Sequence, residues 1–388
     1  MRFFENFFGV DSCFSKKDRN GDFCSLYKRK CTLAIERRWK TLYNKMKYEH
    51  IPESKRGIIM KKRIYALLLA AVMAFGVSAC GTSETEPQAA DSPTVLTMGT
   101  GDTAGSYYAF GNLLAAHMGD AAGATINVVS TEGSVENING VNTGLYQLGL
   151  AQADAMSYAW NGIIPFAKEG ATQSFRAIGG LYEEALQIVT LDETIQTVAD
   201  LRDKTVSIGS ENSGVAINAM NVLDIYGLRT GEDINTVTMS FGDSVEAMKE
   251  GKIDAAFIVS GAPTTVVEDL IATEQVHLVS IDQEKVAELQ KLYPYYNEYV
   301  ILSGTYTGLD HDVTTVSLQA TMIVSADMAE EDVYNLTAGI YDNVENISAI
   351  MARAIDMSPE NATTGISIPF HAGAARYFAE QGFYAPTE

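Results

Sequence analysis

The chain has 388 residues, of which 46% are hydrophobic, enough apolar sequence for a sizeable core and for two or three domains. It carries 28 Lys and Arg residues against 49 Asp and Glu residues, which gives a formal net charge of −21 at pH 7. A surface this acidic repels nucleic acid and anionic membranes, so both are excluded as binding partners.

The first recognisable element is an export signal that begins at Met60. Three basic residues (61–63) precede an apolar run of roughly 14 residues, shorter than the ~20 that a membrane-spanning helix needs. The exit sequence VSAC (77–80) is similar to the bacterial lipobox, with Val where Leu is commoner. Cys80 is the last cysteine of the chain, and lipidation would explain a lone thiol in an exported protein. The alternative is an ordinary secretory signal followed by a chance cysteine.

Residues 1–59 do not fit a protein that is exported from its N-terminus, because they are polar and basic and show no clear period. We expect Met60 to be the true start and 1–59 to be an artefactual upstream extension; a genuine cytoplasmic extension is the alternative. Residues 60–79 are then the signal peptide, and the polar stretch 80–93 is a tether. Of the 28 basic and 49 acidic residues, 17 and 7 lie in 1–79, which leaves 11 and 42 and a formal charge of −31 in the mature chain.

From residue 94 the pattern is α/β, and two stretches repeat the order strand, glycine loop, helix. In the first stretch the strand is 95–98, the loop 99–105 and the helix 106–118. In the second stretch the strand is 205–208, the loop 209–214 and the helix 215–226, which Gly227 ends.

A later part of each stretch also repeats, as a helix that stops at a glycine and leads into an apolar strand. The helices are 134–142 and 244–250, the glycines are Gly144 and Gly251, and the strands are 148–151 and 255–259. Apolar strands separated by helices predict mostly parallel sheets that are covered on both faces. Ligands of such sheets bind beyond the carboxyl ends of the strands.

The expected fold class is therefore α/β, with two periplasmic-binding-protein-like lobes that close on a ligand cleft by a hinge. The first lobe is expected to comprise 94–185 plus 301–388, and the second lobe 186–300. The segment 304–325 is expected to cross back, bringing the amphipathic helices at 328–357 and the tail to the first lobe.

Three Gly/Ser/Thr loops precede helices, at 99–105, 131–134 and 210–214. Such loops present unpaired backbone N–H groups and the positive end of the helix dipole, which suits a carboxylate or a phosphate. A single strand-to-helix connection can carry glycines for structural reasons alone. Their recurrence at equivalent points of two halves favours one shared cleft.

Motifs of enzymes are absent from the sequence. The glycines of 99–105 have the wrong spacing for a dinucleotide fingerprint, no Walker lysine follows either glycine loop, and no G-x-S-x-G elbow occurs. The four histidines after residue 80 are dispersed and lack metal-ligand spacing. The acidic pairs Glu183-Glu184 and Glu330-Glu331 are interpreted as solvated faces.

Six polar side chains beside the loops are candidates for ligand contact: Tyr107, Tyr108, Asn137, Gln152, Asn218 and Ser260. The two tyrosines begin a helix, so one is expected to face the cleft and the other to pack in the core. The two asparagines lie within helices, where Asn is unfavourable, which favours a hydrogen bond to the ligand or between the lobes. The other two side chains lie at the carboxyl ends of strands.

The chain resembles the TAXI family, the TRAP-associated extracytoplasmic immunogenic proteins, in segments that follow in order through nearly all of 94–388. The segments are GTGDTAGSYYAFG (99–111), STEGSVENINGVNTG (130–144), LAQADAMSYAWNG (150–162), RAIGGLYEE (176–184), VADLRDKTVSIGSENSGVAINA (198–219), YPYY and GTYTGLD within 293–310, and IPFHAGAARYF (368–378). The resemblance implies a type II two-lobed receptor that feeds the fused membrane subunit of a tripartite ATP-independent transporter. It also implies uptake driven by an ion gradient, and ligands such as glutamate, glutamine and related dicarboxylates.

The resemblance places the ligand-binding residues motif by motif. They are Gly101, Gly105, Tyr107, Tyr108, Gly133, Ser134, Asn137, Gln152, Ser213, Gly214, Asn218, Ser260, Gly261 and Pro263. Arg176 is the nearest basic residue in a matching segment and a further candidate. Glu132 and Glu211 depart from the family pattern and would repel an anion, unless they point outward or the ligand carries a positive group.

We therefore expect a monomeric, non-enzymatic, lipid-anchored receptor outside a bacterial cell membrane, without metal or cofactor. Two alternatives stay open. A binding protein of an ABC importer or of a sensory system would share the cleft and differ in its partner, which the neighbouring genes would reveal. An extracellular enzyme on this fold would need a nucleophile–base pair in the cleft, such as Ser134 or Ser213 bonded to a histidine.

Overall fold

The structure is a computed structural model that describes residues 94–388, so the predicted signal peptide, Cys80 and the tether lie outside the described residues. The strands are β1 Thr94–Gly99, β2 Ala124–Val129, β3 Leu148–Gln152, β4 Phe175–Thr190, β5 Thr205–Ser207, β6 Asn235–Val237, β7 Ala255–Ser260, β8 His277–Leu278, β9 Asn297–Ile301 and β10 Val313–Ser325. The helices are α1 Ser106–Ala122, α2 Ser134–Asn142, α3 Ala153–Asn161, α4 Gly214–Ile225, α5 Phe241–Lys249, α6 Thr265–Ile271, α7 Gln283–Leu292, α8 Glu330–Tyr341, α9 Val344–Ser348, α10 Pro359–Thr363 and α11 Ala372–Glu380. Two 3₁₀ turns lie at Val198–Leu201 and Ala352–Asp356.

The strands form one continuous sheet whose two ends have the same topology. From one edge the order is β2-β1-β3-β10-β4, and from the other edge it is β6-β5-β7-β4-β10. In one end β1 pairs in parallel with β2 and β3, and in the other end β5 pairs in parallel with β6 and β7. The predicted fold class is confirmed: this is a two-lobed α/β fold of the type II periplasmic-binding-protein kind.

The prediction of mostly parallel pairing is wrong for the two strands that join the lobes. β4 pairs antiparallel with β7 and β10, and β10 also pairs antiparallel with β3 and β9. The reason is connectivity, since β4 carries the chain from the first lobe to the second and β10 brings it back. Two adjacent strands are a connection about which lobes can hinge.

Each lobe buries its own hydrophobic core. The first core holds buried residues from Leu96 to Tyr182 and from Ala320 to Ala385, and the second holds those from Ala185 to Leu318. The chain thus returns to the first lobe within β10, later than the boundary at 301 that the sequence suggests. The reason is that β9 and the first half of β10 pair as a hairpin, whose buried side chains pack in the second core.

Capping explains where the second-lobe helices begin and end. The Ser213 hydroxyl accepts a hydrogen bond from the Ala216 N–H at 3.1 Å and begins α4. Gly227, with φ 66°, follows the last residues of α4, as predicted. The Ser240 hydroxyl caps the Asp243 N–H at 3.1 Å, so α5 begins at Phe241 rather than at the predicted 244. Across 94–388, no helix combines the length and the apolarity that crossing a membrane requires.

Candidate functional site

A cavity of ≈ 40 Å³ lies between the two lobes, at the carboxyl ends of β1, β3, β5 and β7. We call it the cleft cavity. Both lobes contribute side chains and backbone to its walls, so it exists only where the lobes meet. It is lined by Gly101, Asp102, Gly105, Ser106, Tyr107, Glu132, Gly133, Ser134, Gln152, Glu184, Ser210, Ser213, Gly214, Val215, Phe241, Val259 and Ser260.

Four helices begin at residues that line the cleft cavity: α1 at Ser106, α2 at Ser134, α4 at Gly214 and α5 at Phe241. The first N–H of α5 is bonded to the Asp102 carboxylate, so the starts of α1, α2 and α4 are the ones turned to the cavity. The first N–H groups of a helix have no partner within the helix, and the dipole makes that end positive. Ser106 N already donates to Ser260 Oγ at 3.2 Å and Ala216 N to Ser213 Oγ at 3.1 Å, so it is mainly the positive field of the helix N-termini that favours an anionic group here.

The lobes touch at the rim of the cleft through hydrogen bonds that involve two of its acidic side chains. Glu132 Oε2 accepts from Asn212 N at 3.1 Å and from Asn212 Nδ2 at 2.6 Å. Asp102 Oδ2 accepts from Phe241 N at 2.7 Å. Both carboxylates belong to the first lobe and both donors to the second, so these contacts stabilise the closed arrangement.

The floor of the cleft cavity carries a carboxyl group and an amide, both buried. Glu184 is 2% exposed, and its Oε2 accepts from the Tyr107 hydroxyl at 2.8 Å. Burial raises the pKa of the Glu184 carboxyl from 4.5 to about 8, because the ionised form loses its hydration. Gln152 is 3% exposed, and within 94–388 its Oε1 has no hydrogen-bond partner.

One arginine reaches the back of the cleft from the C-terminal part of the chain. Arg353 lies in the second 3₁₀ turn, and its Nη1 donates to Ser106 Oγ at 2.8 Å. Its guanidinium also lies 5.6 Å from the ring centre of Tyr182, and Ser260 Oγ donates to Ser106 Oγ at 2.8 Å. Arg353 thus holds the start of α1 beside the carboxyl end of β7, a role that no local sequence pattern predicts.

Most of the predicted ligand-binding residues line the cleft cavity. They are Gly101, Gly105, Tyr107, Gly133, Ser134, Gln152, Ser213, Gly214 and Ser260. Of the tyrosine pair, the first is buried at the cavity and the second is half-buried outside it. The ligand contacts themselves stay a proposal.

The remaining predicted residues lie elsewhere and make other contacts. Asn137 donates from Nδ2 to the carbonyls of Thr100 and Leu150, at 2.6 and 2.7 Å, and so ties the ends of β1 and β3 together. The carbonyl of Pro263 accepts from Arg353 Nη2 at 2.6 Å, and Gly261 packs against the same guanidinium. Outside the cleft cavity lie Tyr108, Asn137, Asn218, Gly261 and Pro263.

Two predictions about charged residues need correction. Arg176 does not reach the cleft, because its Nη1 donates to the carbonyls of Gln173 and Phe175 and its guanidinium lies 5.1 Å from the ring centre of Trp160. The Glu183-Glu184 pair is not a solvated face as a whole. Successive residues of a strand point to opposite sides, so Glu183 is exposed while Glu184 faces the cavity.

A buried polar cluster joins the lobes beside the cleft. Asn218 of α4 donates from Nδ2 to Asp154 Oδ2 of α3 at 2.7 Å and to the Tyr296 hydroxyl at 3.0 Å. Asn218 thus makes the hydrogen bond between lobes that was one of its two expected roles. Burial raises the pKa of the Asp154 carboxyl from 3.8 to about 7, despite its bonds to the Ala155 N–H and to Asn218.

Asp154 is expected to make the protein more stable as the pH falls from about 7 toward 4. Its pKa is about 7 in the folded protein against 3.8 as reference, so the folded protein holds a proton that the unfolded chain releases. The free energy of unfolding starts to rise as the pH drops through the pKa of Asp154 in the folded protein. The rise is complete below the pKa in the unfolded chain and reaches roughly 4 kcal/mol. Thermal melting from pH 8 to pH 5 should show a flatter pH dependence for Asp154→Asn than for the wild type. Parallel curves for the two proteins would contradict this.

The serines that could serve a hydrolytic enzyme are bonded to the backbone. Ser134 Oγ accepts from Gln152 N at 3.1 Å, and the Ser213 hydroxyl donates to the Ser210 carbonyl at 2.6 Å. Neither contact supplies a general base. Across residues 94–388, no three His, Cys, Asp or Glu side chains are grouped so that they could hold a metal ion.

Solved structures with a similar fold share little sequence with the chain. The periplasmic aliphatic sulphonate binding protein SsuA from Escherichia coli is 15% identical, with 76% of this chain and 85% of that chain covered and a TM-score of 0.39. The alkanesulfonate-binding protein SsuA from Xanthomonas axonopodis pv. citri, bound to MOPS, is 14% identical over 75% and 92%, with a TM-score of 0.41. A putative L-cystine ABC transporter from Listeria monocytogenes is 12% identical over 68% and 97%, with a TM-score of 0.42. At these identities and scores the likeness says nothing about the ligand.

A sequence model of a protein family matches most of the chain. The match covers residues 98–382, from within β1 to beyond the end of α11. It therefore includes both lobes and every residue that lines the cleft cavity. The chain belongs to the NMT1-like family.

Proposed function

We propose that the chain is an extracytoplasmic, lipid-anchored solute receptor that captures a small organic acid or amino acid in the cleft cavity. The proposed contacts are the lining residues that the sequence also predicts, from Gly101 to Ser260. The observation that carries the proposal is the cavity itself, which lies between the two lobes: the N-termini of α1, α2 and α4 line it, and so does Gln152, whose Oε1 has no hydrogen-bond partner within 94–388. Buried polar groups without partners are costly, so a cavity built of them suits a polar ligand that completes their hydrogen bonds.

A thermal-shift screen tests capture of a solute. The compounds are glutamate, glutamine, 2-oxoglutarate, C4-dicarboxylates, the other protein amino acids and short fatty acids. A ligand that binds only the folded protein adds about 2.7 kcal/mol of stability at 100 times its Kd, which raises the Tm by about 5 °C or more. At least one compound should produce such a rise, and a flat response to all of them would overturn the proposal.

The proposed partner is the membrane subunit of a TRAP transporter, with uptake driven by an ion gradient. Support comes from the resemblance of the segments within 94–388 to TAXI receptors. The test is uptake of a radiolabelled ligand by cells that carry the receptor and the permease encoded beside it. Uptake should stop when the ion gradient is collapsed and continue when ATP is depleted. The opposite result, with an ATPase encoded beside the receptor, would assign the chain to an ABC importer.

The proposed membrane anchor is a diacylglyceryl group on Cys80. In cells fed radiolabelled palmitate, the wild-type protein should be labelled and should sediment with the membranes. The Cys80→Ser variant should be unlabelled, because lipidation requires the thiol. Ser83→Ala, in the tether just beyond the exit sequence, is the matched control and should behave like the wild type. Equal labelling of all three proteins would contradict the anchor.

A further inference from the structure

Glu184 is the one acidic residue of β4 that is turned into the cleft. Its neighbour Glu183 faces the other side of the strand, where its oxygens accept from Asn297 Nδ2 and Ser317 Oγ, each at 3.0 Å. The Tyr107 hydroxyl donates to Glu184 at 2.8 Å, and a side-chain hydrogen bond from Gln152 also lowers the pKa of Glu184; within 94–388 no Lys, Arg or His lies within ion-pair distance of it. A carboxylate in this position lacks the counter-charge that buried ions normally have.

The groups around Glu184 do not replace that counter-charge. Tyr107 and Tyr182 are buried phenols whose own pKa values burial raises well above the usual 10.0, so they stay neutral. Asp154 raises the pKa of Glu184 and Arg353 lowers it, both by smaller amounts than burial does. The carboxyl is therefore neutral at pH 7 unless a cation comes to it.

A second buried acceptor faces the same space. Gln152 Oε1 has no partner within the described part of the chain, and Gln152 lines the cleft cavity together with Glu184. When Glu184 is ionised, its oxygens and Gln152 Oε1 are all acceptors and need a ligand group that donates hydrogen bonds, whereas the neutral carboxyl offers one O–H of its own. A carboxylate on the ligand cannot donate, whereas a primary ammonium donates three hydrogen bonds and supplies the missing positive charge.

The mouth of the cleft also favours a cationic group over an anionic one. A wider cavity of ≈ 500 Å³ adjoins the rim and contains four acidic side chains and no lysine or arginine. Such a mouth raises the local concentration of cationic groups and lowers that of anions. The acidic side chains are Asp102, Glu132, Glu211 and Asp243.

On the remaining walls of the cleft cavity, the helix N-termini favour an anionic group instead of a cationic one. The starts of α1, α2 and α4 suit one carboxylate, as described above. We propose that the ligand is a small zwitterion, whose primary ammonium group contacts Glu184 and Gln152 Oε1 and whose single carboxylate contacts the helix N-termini. This inference rests on the proposed receptor function, and it excludes dicarboxylates without an amino group.

Calorimetric titration of the wild-type protein with two sets of compounds tests the inference. The zwitterions are the neutral α-amino acids, β-alanine and 4-aminobutanoate, and the anions are succinate, 2-oxoglutarate and butanoate. At least one zwitterion should bind, and no anion should bind as tightly. For that zwitterion the affinity should rise by up to tenfold per pH unit between pH 6 and pH 8, because ionising Glu184 releases a proton on binding.

Glu184→Gln should lower the affinity for the zwitterion at least tenfold and remove most of the pH dependence of that affinity, since the amide cannot supply the negative charge. Glu183→Gln is the matched control on the same strand and should change the affinity less than twofold. Gln152→Met removes the second acceptor without changing the charge, and it should also weaken binding. It tests the inference independently if Glu184→Gln does not fold. If the wild type binds succinate more tightly than every zwitterion, or if its affinity for the zwitterion falls as the pH rises, the inference is overturned and the receptor function is left standing. No binding of any of these compounds, together with a flat response in the thermal-shift screen, would overturn both.

Discussion

The Gly214→Leu variant should bind the ligand at least about 100-fold more weakly than the wild type, and it should still fold. Gly214 is the first residue of α4, in the second lobe, and it faces the first lobe. A Cβ built on it would collide with Gln152 Oε1 and lie 2.9 Å from Ser134 Oγ. A leucine would fill the cleft cavity and hold the lobes apart, and overpacking of this kind costs ~1–3 kcal/mol or more. The population of the closed, binding-competent form would fall accordingly.

Gly242→Leu is the matched control, because it also lies near the start of a second-lobe helix. A Cβ on Gly242 would have no neighbour within 4 Å, so the control should bind the ligand like the wild type. Calorimetry gives the two affinities, and thermal melting of the unliganded proteins shows whether each variant folds. Binding by Gly214→Leu within twofold of the control would mean that the ligand does not occupy the cleft cavity.

Asn137→Ala should lower the free energy of unfolding by roughly 3 kcal/mol. Asn137 is fully buried, and besides its two bonds to backbone carbonyls its Oδ1 accepts from the Thr131 hydroxyl at 2.7 Å. Alanine would leave two buried carbonyls, at Thr100 and Leu150, without this donor. The loops before α1 and α2 would loosen as well, so ligand affinity should also fall.

Asn112→Ala is the control for this variant, since Asn112 is exposed and bonds only to the carbonyl of Tyr108 in its own helix. Urea denaturation followed by tyrosine and tryptophan fluorescence measures both variants. The control should stay within about 0.5 kcal/mol of the wild type. Equal stability of the two variants would show that Asn137 does not hold the first lobe together.

The sequence predicts the parts of the cleft that depend on local order. Strand, glycine loop and helix follow one another in each half, so the starts of α1, α2 and α4 could be assigned before the fold was known. The residues at those starts, such as Gly105, Ser134 and Gly214, then follow from the rule that ligands bind at the carboxyl ends of parallel strands.

The charged residues could not be assigned in this way, because their positions depend on distant parts of the chain. Arg353 meets Ser106, 247 positions away, only after β10 has returned the chain to the first lobe. Glu184 lies in a strand that is buried at nearly every position apart from Glu183, so no alternation in the sequence separates the two residues. Asn137 could be singled out as unusual in a helix, but its three partners come from three different loops and strands.

A crystal structure of the protein with the compound that gives the largest thermal shift would locate the ligand directly. The compound should lie in the cleft cavity, in contact with residues of both lobes. Its amino nitrogen should lie within hydrogen-bond distance of a Glu184 oxygen and of Gln152 Oε1, and its carboxylate should face the starts of α1, α2 and α4. A compound bound outside the cleft cavity would mean that this cavity is not the ligand site.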